Sequence, residues 1–386
     1  MKVLIVSDFH AYKYREKLYV GTQFSTIVKR YKQVFGDIHA CFRVTSIDIL
    51  PAGFECAEEL FVSYYGVNGL SAAFSLQFKS HIKDLIFSCD LLIIRCPTML
   101  GIAAARIGRD LGKPYLAEVM GDGWDAYWNH GLAGKIMAPY FYLQIRYCVG
   151  KADFALYVTE KYLQNRYPCK GLSIGASNVL IKETSKDNLN KKKEHYAKKK
   201  CEPLILMTSA SVDVRYKGQE YVIKAIPRLN ERGIRVRYLM CGDGKGVHLK
   251  SLATQLRVED QVVFTGRLSL EDIFKLLDEI DIYIQPSLQE GLPRSVIEAM
   301  SRGCHVIGAR TAGIPELIDD CYVVKRKSPS DIAKKIIAIN NLTVEEKINL
   351  CNRNFQKSKE YQSDILDKKR CCFFDKIKQS ILPHLI

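Results

Sequence analysis

Residues 286–300 read Pro-Ser-Leu-Gln-Glu-Gly-Leu-Pro-Arg-Ser-Val-Ile-Glu-Ala-Met, and they place two glutamates, Glu290 and Glu298, eight positions apart. The apolar run at 281–285 predicts a buried strand that ends just before this stretch. A helix is expected to start near Pro293, because proline at the first helical position gives up no intrahelical hydrogen bond. Glu290 should therefore lie in the loop after the strand, and Glu298 on the helix.

This strand, loop and helix together predict a ligand site. Ligands of open α/β sheets bind at the carboxyl ends of the strands. The free N–H groups in the first turn of a helix favour a phosphate, and a fixed carboxylate can accept two hydrogen bonds from a vicinal diol such as a ribose. The stretch therefore favours a nucleotide-sugar site.

Several other strings extend this pattern and resemble the family 4 (group 1) retaining glycosyltransferases, which have the GT-B fold. Residues 286–300 are similar to the Glu-x7-Glu signature of that family, and the similarity is dense over residues 203–320. The strings, in family order, are Gly242-Asp-Gly244, Val263-Phe-Thr-Gly266, Asp281 to Pro286, Glu298-Ala-Met-Ser-Arg-Gly303 and Gly313-Ile-Pro-Glu316-Leu-Ile. The resemblance implies an α/β chain of two doubly wound, Rossmann-like parallel-sheet domains that face each other across a cleft.

The resemblance also implies roles for the residues of the signature. Glu298 is expected to bind the ribose hydroxyls of the donor nucleotide; the alternative is a helix-face glutamate paired with a surface base. Glu290 is expected near the donor sugar, where the backbone N–H groups of Gly291 and Leu292 would face the same sugar. Gly291 would let the backbone approach closely.

A diphosphate leaving group needs fixed positive charge, and the loop after the strand at 204–207 can supply it. Lys217 matches the Lys-Gly of the family, so it is predicted to bind the diphosphate. The family's arginine position falls near Ser211, so the match fails there. Arg215, in the same loop, is predicted to take the place of the family's arginine. The alternative is that Arg215 is a solvated surface residue.

Other predicted donor contacts come from the turns after neighbouring strands. Gly242 is expected to line the donor site, although a plain strand-to-helix turn explains it equally well, since the third glycine of a dinucleotide fingerprint is absent. Gly266, Arg267 and Leu268 resemble the strand end where the family seats the nucleobase. Backbone groups recognise the nucleobase there, so the sequence does not show which base is bound.

In the first half of the chain, Gly21 opens a helix after a loop that contains Asp8, and the resemblance places a glycine there against the diphosphate. Asp122 follows the strand at 115–119, where the family often carries a histidine near the donor sugar. It is therefore a candidate for sugar or acceptor contact, and an Asp-Gly turn is the alternative.

Composition and charge limit the class of protein. A chain of 386 residues with 47% hydrophobic residues is globular and suits two domains. No apolar run approaches the ~18 residues of a membrane span. Thirteen cysteines without a Cys-x-x-Cys pair are typical of a reducing cytoplasm.

The net charge of +15 fits either a solvated surface or an anionic membrane face. Nucleic-acid binding is disfavoured, because no nucleic-acid module accompanies the charge.

The alternation of apolar strands and helices predicts the domains. These are an acceptor-side domain at 1–180, a lysine-rich linker at 181–202, a nucleotide-sugar domain at 203–358 and a C-terminal helix at 359–386. The linker assignment depends on residues 182–200, which hold eight lysines, three acids and no apolar period. An apolar stripe with Phe373, Phe374 and Ile377 predicts that the C-terminal helix packs on the first domain; the alternative is that it lies on a membrane.

The resemblance implies a retaining glycosyltransferase that uses a UDP- or GDP-sugar and needs no metal or other cofactor. The expected acceptor is a saccharide or a lipid-linked saccharide in surface polysaccharide synthesis. The expected location is the cytoplasm, peripheral on the inner face of the membrane. The alternatives are a nucleotide-sugar epimerase of the same fold and a non-catalytic subunit that binds a sugar nucleotide.

Overall fold

The computed structural model describes residues 1–181, 184–198 and 203–384, and the chain divides into two compact units. Unit 1 comprises Met1–Ala176 and Lys368–Ile386, and unit 2 comprises Ser177–Asp367. The sequence analysis placed the corresponding boundaries at 180 and 358. Among the described helices, none has both the length and the apolar composition that crossing a bilayer requires.

Unit 1 is built on a mainly parallel sheet. Its strands are β1 (Lys2–Tyr14), β2 (Lys17–Gly21), β3 (Asp37–Ser46), β4 (Phe54–Cys56), β5 (Ser63–Val67), β6 (Leu91–Cys96), β7 (Tyr115–Val119), β8 (Phe154–Tyr157) and β9 (Leu172–Gly175). The parallel strands are ordered β5-β3-β1-β6-β7-β8-β9, and β2 and β4 add an antiparallel edge. Strands β6, β7 and β8 are buried along their whole length, as expected for a parallel sheet covered on both faces.

The helices of unit 1 follow its parallel strands. They are α1 (Thr22–Phe35), α2 (Leu76–Phe87), α3 (Met99–Asp110), α4 (Gly123–Trp128), α5 (Gly131–Gly150), α6 (Tyr162–Arg166) and, from Lys368 onward, the C-terminal helix α16 (Ser363–Ile381). A 3-10 turn at Leu70–Phe74 precedes α2.

The first strand differs from the prediction, which expected a loop containing Asp8 before Gly21. Strand β1 continues to Tyr14 and folds back as β2, with Tyr14 paired to Lys17. The two turn residues, Arg15 and Glu16, both have positive φ angles, the geometry of a type I′ hairpin. Asparagine and glycine usually signal this turn, and neither residue is present at these two positions.

Unit 2 has a six-stranded parallel sheet. Its strands are β10 (Leu204–Ser209), β11 (Val236–Cys241), β12 (Val262–Gly266), β13 (Ile282–Gln285), β14 (His305–Ala309) and β15 (Val323–Val324). Its helices up to Lys359 are α7 (Lys186–Lys198), α8 (Gln219–Ile223), α9 (Ile226–Asn230), α10 (Val247–Gln255), α11 (Leu270–Glu279), α12 (Arg294–Ser301), α13 (Ile314–Leu317), α14 (Pro329–Asn340) and α15 (Val344–Lys359). The strand order β12-β11-β10-β13-β14-β15 is the 3-2-1-4-5-6 order of a Rossmann sheet.

The lysine-rich segment predicted as a linker is largely a helix of unit 2. Helix α7 buries Leu189, Lys192 and Tyr196 on one face. The Lys192 ammonium donates to the carbonyl oxygens of Leu277 (2.7 Å) and Ile280, which end helix α11. A buried lysine in this position satisfies helix-terminal carbonyls, whereas the sequence pattern showed only charge. Residues 182, 183 and 199–202 of the predicted linker lie outside the described residues.

The C-terminal helix uses its apolar stripe inside unit 1. Phe374 is buried, and its ring centroid lies 5.4 Å from those of both Tyr31 and Phe35 of α1. Phe373 and Ile377 are also buried. The stripe is therefore occupied by packing, which is the first of the two alternatives that the sequence left open.

Replacing Phe374 by alanine should destabilise unit 1 by about 3–5 kcal/mol, because it removes a fully buried aromatic ring. The measurement is thermal unfolding followed by circular dichroism. Leu382→Ala is the matched control, since that side chain is exposed near the same end of the chain. Equal effects of the two substitutions would show that the stripe does not hold the helix in place.

Candidate functional site

The sheet of unit 2 creates a crevice between strands β10 and β13. These strands are hydrogen-bonded neighbours, and the strand order reverses at this point. The connections that follow them, 210–218 and 286–293, therefore leave in opposite directions and open a space at the carboxyl ends of the strands. Both connections contain residues that the sequence analysis assigned to the donor.

An ion pair joins the two connections. The Lys217 ammonium lies 2.8 Å from a carboxylate oxygen of Glu290, and the two side chains are 24% and 10% exposed. Next to the pair, the backbone N–H of Leu288 donates to the carbonyl oxygen of Tyr216 over 2.7 Å. The structure thus brings Lys217 and Glu290 together, although 73 positions separate them in the sequence.

Gly218 explains why the two connections can approach so closely. Its φ angle is +75°, and a β-carbon on this residue would lie 2.2 Å from the carbonyl oxygen of Pro286. Both the left-handed backbone and the lack of space therefore require glycine here.

A buried glutamine orients Glu290, and the sequence analysis missed it. The amide nitrogen of Gln285 donates to Glu290 (3.0 Å) and to the hydroxyl of Ser287 (2.8 Å). Its amide oxygen accepts hydrogen bonds from the hydroxyls of Tyr283 (2.9 Å) and Ser295 (3.1 Å). The signal in the sequence was a polar residue at the end of the otherwise apolar strand at 281–285.

Glu298 lies on α12, the helix that follows the same connection. Its side chain is half-buried, and this burial raises the pKa of the carboxyl above its ordinary value of 4.5, while the charge of Arg294 acts in the opposite direction. Arg294 is one turn earlier on the helix and was not singled out from the sequence. Pro293 at the N-cap offers no side-chain acceptor to the first-turn N–H groups, which leaves them free for an anion.

The other predicted donor residues lie around the same crevice. The carbonyl oxygen of Gly291 accepts a hydrogen bond from Gly313 N–H (2.9 Å), and Leu292 is buried. Arg215 is exposed in the 3-10 turn Arg215–Lys217. Burial and, to a smaller extent, the positive charge of Arg215 lower the pKa of His248 on α10.

Gly242 and Gly266 support the turns that flank this site. A β-carbon on Gly242 would lie 2.0 Å from the carbonyl oxygen of Ala210, so the residue is required for packing whether or not it meets a donor. Its N–H donates to the carbonyl oxygen of Gly266, which has a φ angle of +72°. Arg267 is exposed and Leu268 is partly exposed just beyond this turn.

Gly21 and Asp122 belong to unit 1. Gly21 ends β2 and is the N-cap of α1, with the ring of Phe9 about 3.5 Å from the position of a β-carbon. Gly21 therefore lies at the end of the β1–β2 hairpin, where the sequence predicted a loop before the helix.

Asp122 is held by contacts within unit 1. One carboxylate oxygen accepts hydrogen bonds from Trp124 N–H (2.9 Å) and the hydroxyl of Tyr167 (2.5 Å). The other accepts a hydrogen bond from Tyr162 (2.9 Å) and lies 2.5 Å from Arg166. The carboxylate therefore accepts three hydrogen bonds and forms one ion pair within unit 1. Asp122 is the N-cap of α4, whereas the sequence left sugar or acceptor contact and an Asp-Gly turn as alternatives.

Comparisons with known proteins assign the chain to a family. The family model described as "Glycosyl transferases group 1" matches residues 189–357, which include all the crevice residues of unit 2. Protein CapJ of Staphylococcus aureus is 34% identical over 356 residues, covering 88% of this chain and 86% of CapJ. The chain belongs to the group 1 glycosyltransferase family.

Other relatives of this glycosyltransferase match over shorter segments or at lower identity. The putative colanic acid biosynthesis glycosyltransferase WcaL of Escherichia coli is 29% identical over 154 residues, covering 37% of this chain and 38% of WcaL. The crystal structure of HepE from Anabaena in complex with UDP has a TM-score of 0.65 at 14% identity, covering 97% of this chain and 100% of HepE. Sucrose-phosphate synthase from Thermosynechococcus elongatus has a TM-score of 0.69 at 13% identity, covering 98% and 100%. The two structural similarities show the GT-B fold.

Glu298→Gln should make the protein more stable at pH 7–8, because the ionised carboxylate is half-buried. The pKa of the Glu298 carboxyl is higher in the folded than in the unfolded protein, so the folded state binds more protons than the unfolded state. The wild type therefore loses stability as the pH rises above 4.5. The gain from the substitution should therefore disappear as pH falls to about 4.5 and below. Thermal unfolding across this pH range measures it, with the exposed Glu231→Gln as control. A stability gain from Glu298→Gln that grew at low pH would contradict the raised pKa of this carboxyl.

Asp122→Ala should cost about 2–4 kcal/mol, since it removes a helix cap and leaves Arg166 without its counter-ion. Asp122→Asn retains the cap and should cost less, with turnover per folded molecule close to that of the wild type. Unfolding curves and activity normalised to folded protein test this. Normal stability of Asp122→Asn with loss of turnover would restore the assignment of Asp122 to sugar or acceptor contact.

Proposed function

We propose that this glycosyltransferase transfers a sugar from a UDP- or GDP-sugar, with retention of anomeric configuration, to a hydroxyl of a saccharide or lipid-linked saccharide. The observation that carries the proposal is the Lys217–Glu290 pair at the strand-order reversal of unit 2, with Glu298 on the helix that follows. Such an arrangement offers a cation for a diphosphate and two carboxylates for hydroxyl groups.

The leaving diphosphate is the centre of the proposed mechanism. Negative charge develops on it as the glycosidic bond breaks, so a fixed cation lowers the barrier more than it stabilises the bound substrate. Lys217 is assigned to this role, because Glu290 holds its ammonium at the crevice. The first-turn N–H groups of α12 add partial positive charge, and the exposed Arg215 is assigned as a second cation.

The two carboxylates are assigned different partners. Glu298 would accept hydrogen bonds from the ribose hydroxyls of the donor. Glu290 would contact the sugar, and the amide of Gln285 would fix its orientation. Gly242, Gly266, Arg267 and Leu268 would line the nucleobase side, and Gly21 of unit 1 is proposed to approach the diphosphate.

The acceptor attacks from the face that the diphosphate leaves, and the leaving phosphate takes the proton of the acceptor hydroxyl. This route forms the new glycosidic bond as the old one breaks, and no protein nucleophile is required. The positive charge of Lys217 and Arg215 supports transfer without a metal ion or other cofactor. Full activity in the presence of a chelator is therefore expected.

The relatives support the choice of donor and pathway. The HepE structures were solved with UDP and with UDP-glucose. WcaL and the AmsK protein of Erwinia amylovora are named for the biosynthesis of colanic acid and of amylovoran. We infer that this enzyme acts in the synthesis of a surface polysaccharide, in the cytoplasm and peripheral to the inner face of the membrane.

A panel of UDP-, GDP- and ADP-sugars without acceptor tests the donor site, with release of nucleoside diphosphate as the measurement. One donor should be hydrolysed slowly by the wild type. Lys217→Ala should lower kcat by about 10²–10³, as expected for loss of one preorganised charge. Glu298→Ala should weaken donor binding roughly ten- to a hundredfold, since hydrogen bonds to a charged group contribute about 1.5–3 kcal/mol.

Lys334→Ala on an exposed face of α14 is the control and should be unchanged. Proton NMR of a transfer product reports whether configuration is retained. Interconversion of donor sugars without an acceptor would instead indicate an epimerase. Donor binding with neither hydrolysis nor transfer to any saccharide would indicate a non-catalytic subunit. Unchanged activity of the Lys217→Ala variant would contradict the assignment of Lys217 to the leaving diphosphate.

A further inference from the structure

Helix α5 of unit 1 carries an apolar stripe on its exposed side. The side chains of Leu132, Ile136, Tyr140, Leu143 and Tyr147 are 79%, 77%, 42%, 59% and 46% exposed. Their spacing of four, four, three and four residues puts them on one face of the helix. The opposite face is occupied, since Ala138, Phe141, Ile145 and Cys148 are buried in unit 1.

Neighbouring segments extend this face. Phe74, which is 63% exposed, lines the same cavity as Tyr140. Trp128, at the end of α4, is also exposed, and the Lys135 ammonium lies 5.9 Å from the centroid of its ring. The seven apolar side chains Leu132, Ile136, Tyr140, Leu143, Tyr147, Phe74 and Trp128 are called the α5 surface below. Contiguous exposed apolar patches of this kind mark interaction sites.

Basic side chains border the α5 surface. Arg109 donates to the hydroxyl of Tyr147 over 2.5 Å, and its guanidinium lies 5.2 Å from the centroid of that ring. Arg106 donates to Gln144, one position from Leu143. Helix α5 itself has Lys135 and Arg146 and no acidic residue. Asp110 lines a cavity with Arg106 and Arg109 and is outnumbered by these cations.

We propose that the α5 surface docks on an anionic lipid bilayer, with α5 parallel to the membrane plane. Apolar side chains of an interfacial helix enter the boundary between headgroups and acyl chains, and lysine and arginine attract anionic lipids. Tryptophan and tyrosine favour this depth because their rings are apolar and their N–H or O–H groups are polar. Both the stripe and its charged border fit this partner.

A second copy of the chain fits the surface less well. A two-fold symmetric contact places the same patch on both subunits. It would bring the cations Arg106, Arg109 and Lys135 of both copies to one interface, with Asp110 of each copy as the acid beside them. A bilayer of negative surface potential has the complementary charge. The inference depends only on contacts within unit 1, so it is independent of the proposed donor chemistry.

Flotation of the full chain with lipid vesicles tests the proposal. The wild type should bind vesicles of phosphatidylcholine with phosphatidylglycerol, bind phosphatidylcholine alone weakly, and release from the anionic vesicles as salt is raised. The variant Leu132→Gln, Ile136→Gln, Leu143→Gln should lose at least about tenfold in partition, because it removes three apolar groups from the interface. The control Leu270→Gln, Val344→Gln, Ile365→Gln changes three exposed apolar side chains of unit 2.

The charged border has its own test. Arg106→Gln with Arg109→Gln should weaken binding to anionic vesicles by about 25-fold, since each basic residue near the membrane contributes about fivefold. Arg228→Gln with Lys334→Gln, two exposed residues of unit 2, is the control. Circular dichroism melting verifies that each variant is folded.

Three results would overturn the proposal. The first is that the α5 variants and their controls bind vesicles equally. The second is equal wild-type binding to neutral and anionic vesicles at every salt concentration. The third is a dimer in sedimentation equilibrium that the triple α5 variant dissociates, which would assign the surface to a second copy. Melting shifts caused by UDP or GDP report the donor site separately, so failure of either proposal is recognised without the other.

Discussion

Strands β10 and β13 are neighbours in the sheet of unit 2, yet the connections that follow them leave on opposite sides. This reversal leaves the carboxyl ends of the two strands uncovered. It also brings a lysine after one strand within 2.8 Å of a glutamate after the other. Gly218 keeps the two connections close, because no other residue fits against the carbonyl of Pro286 with that backbone angle. The position of the fixed charge therefore follows from strand order, and the donor chemistry proposed for the enzyme depends on it.

Buried polar groups around the crevice connect stability to function. Gln285 uses both ends of its amide, so Glu290 is oriented by a side chain that is itself fully bonded. Glu298 is less well compensated, since burial raises the pKa of its carboxyl and only Arg294 acts against the shift. An ionised carboxylate that costs stability is typical of a group kept to meet a ligand. The folded unit thus has one carboxylate paired with Lys217, and a second, Glu298, that is proposed to accept hydrogen bonds from hydroxyl groups.

Unit 1 has the same kind of sheet but uses its acidic residues differently. At the point where its strand order reverses, Asp8 accepts hydrogen bonds from Thr98, Met99 and Leu100 and so caps α3. Asp122 caps α4 in a comparable way. These carboxylates stabilise helix ends, whereas the apolar outer face of α5 is exposed. Unit 2 accordingly carries the proposed donor chemistry, and unit 1 carries the surface proposed to meet the membrane.

Local patterns were sufficient to predict the parallel strands, the loop position of Glu290, the helix position of Glu298 and a lysine in the loop after β10. Apolar runs, proline and glycine act over a few residues, so these features can be read from short stretches of sequence. The fold was needed to show that Gln285 holds Glu290, that Asp122 is a helix cap, and that Lys192 is buried in a helix within the predicted linker. Each of these roles, and the exposure of the α5 stripe, is set by partners distant in the chain. A polar or apolar side chain acquires such a role only when packing determines what lies opposite it.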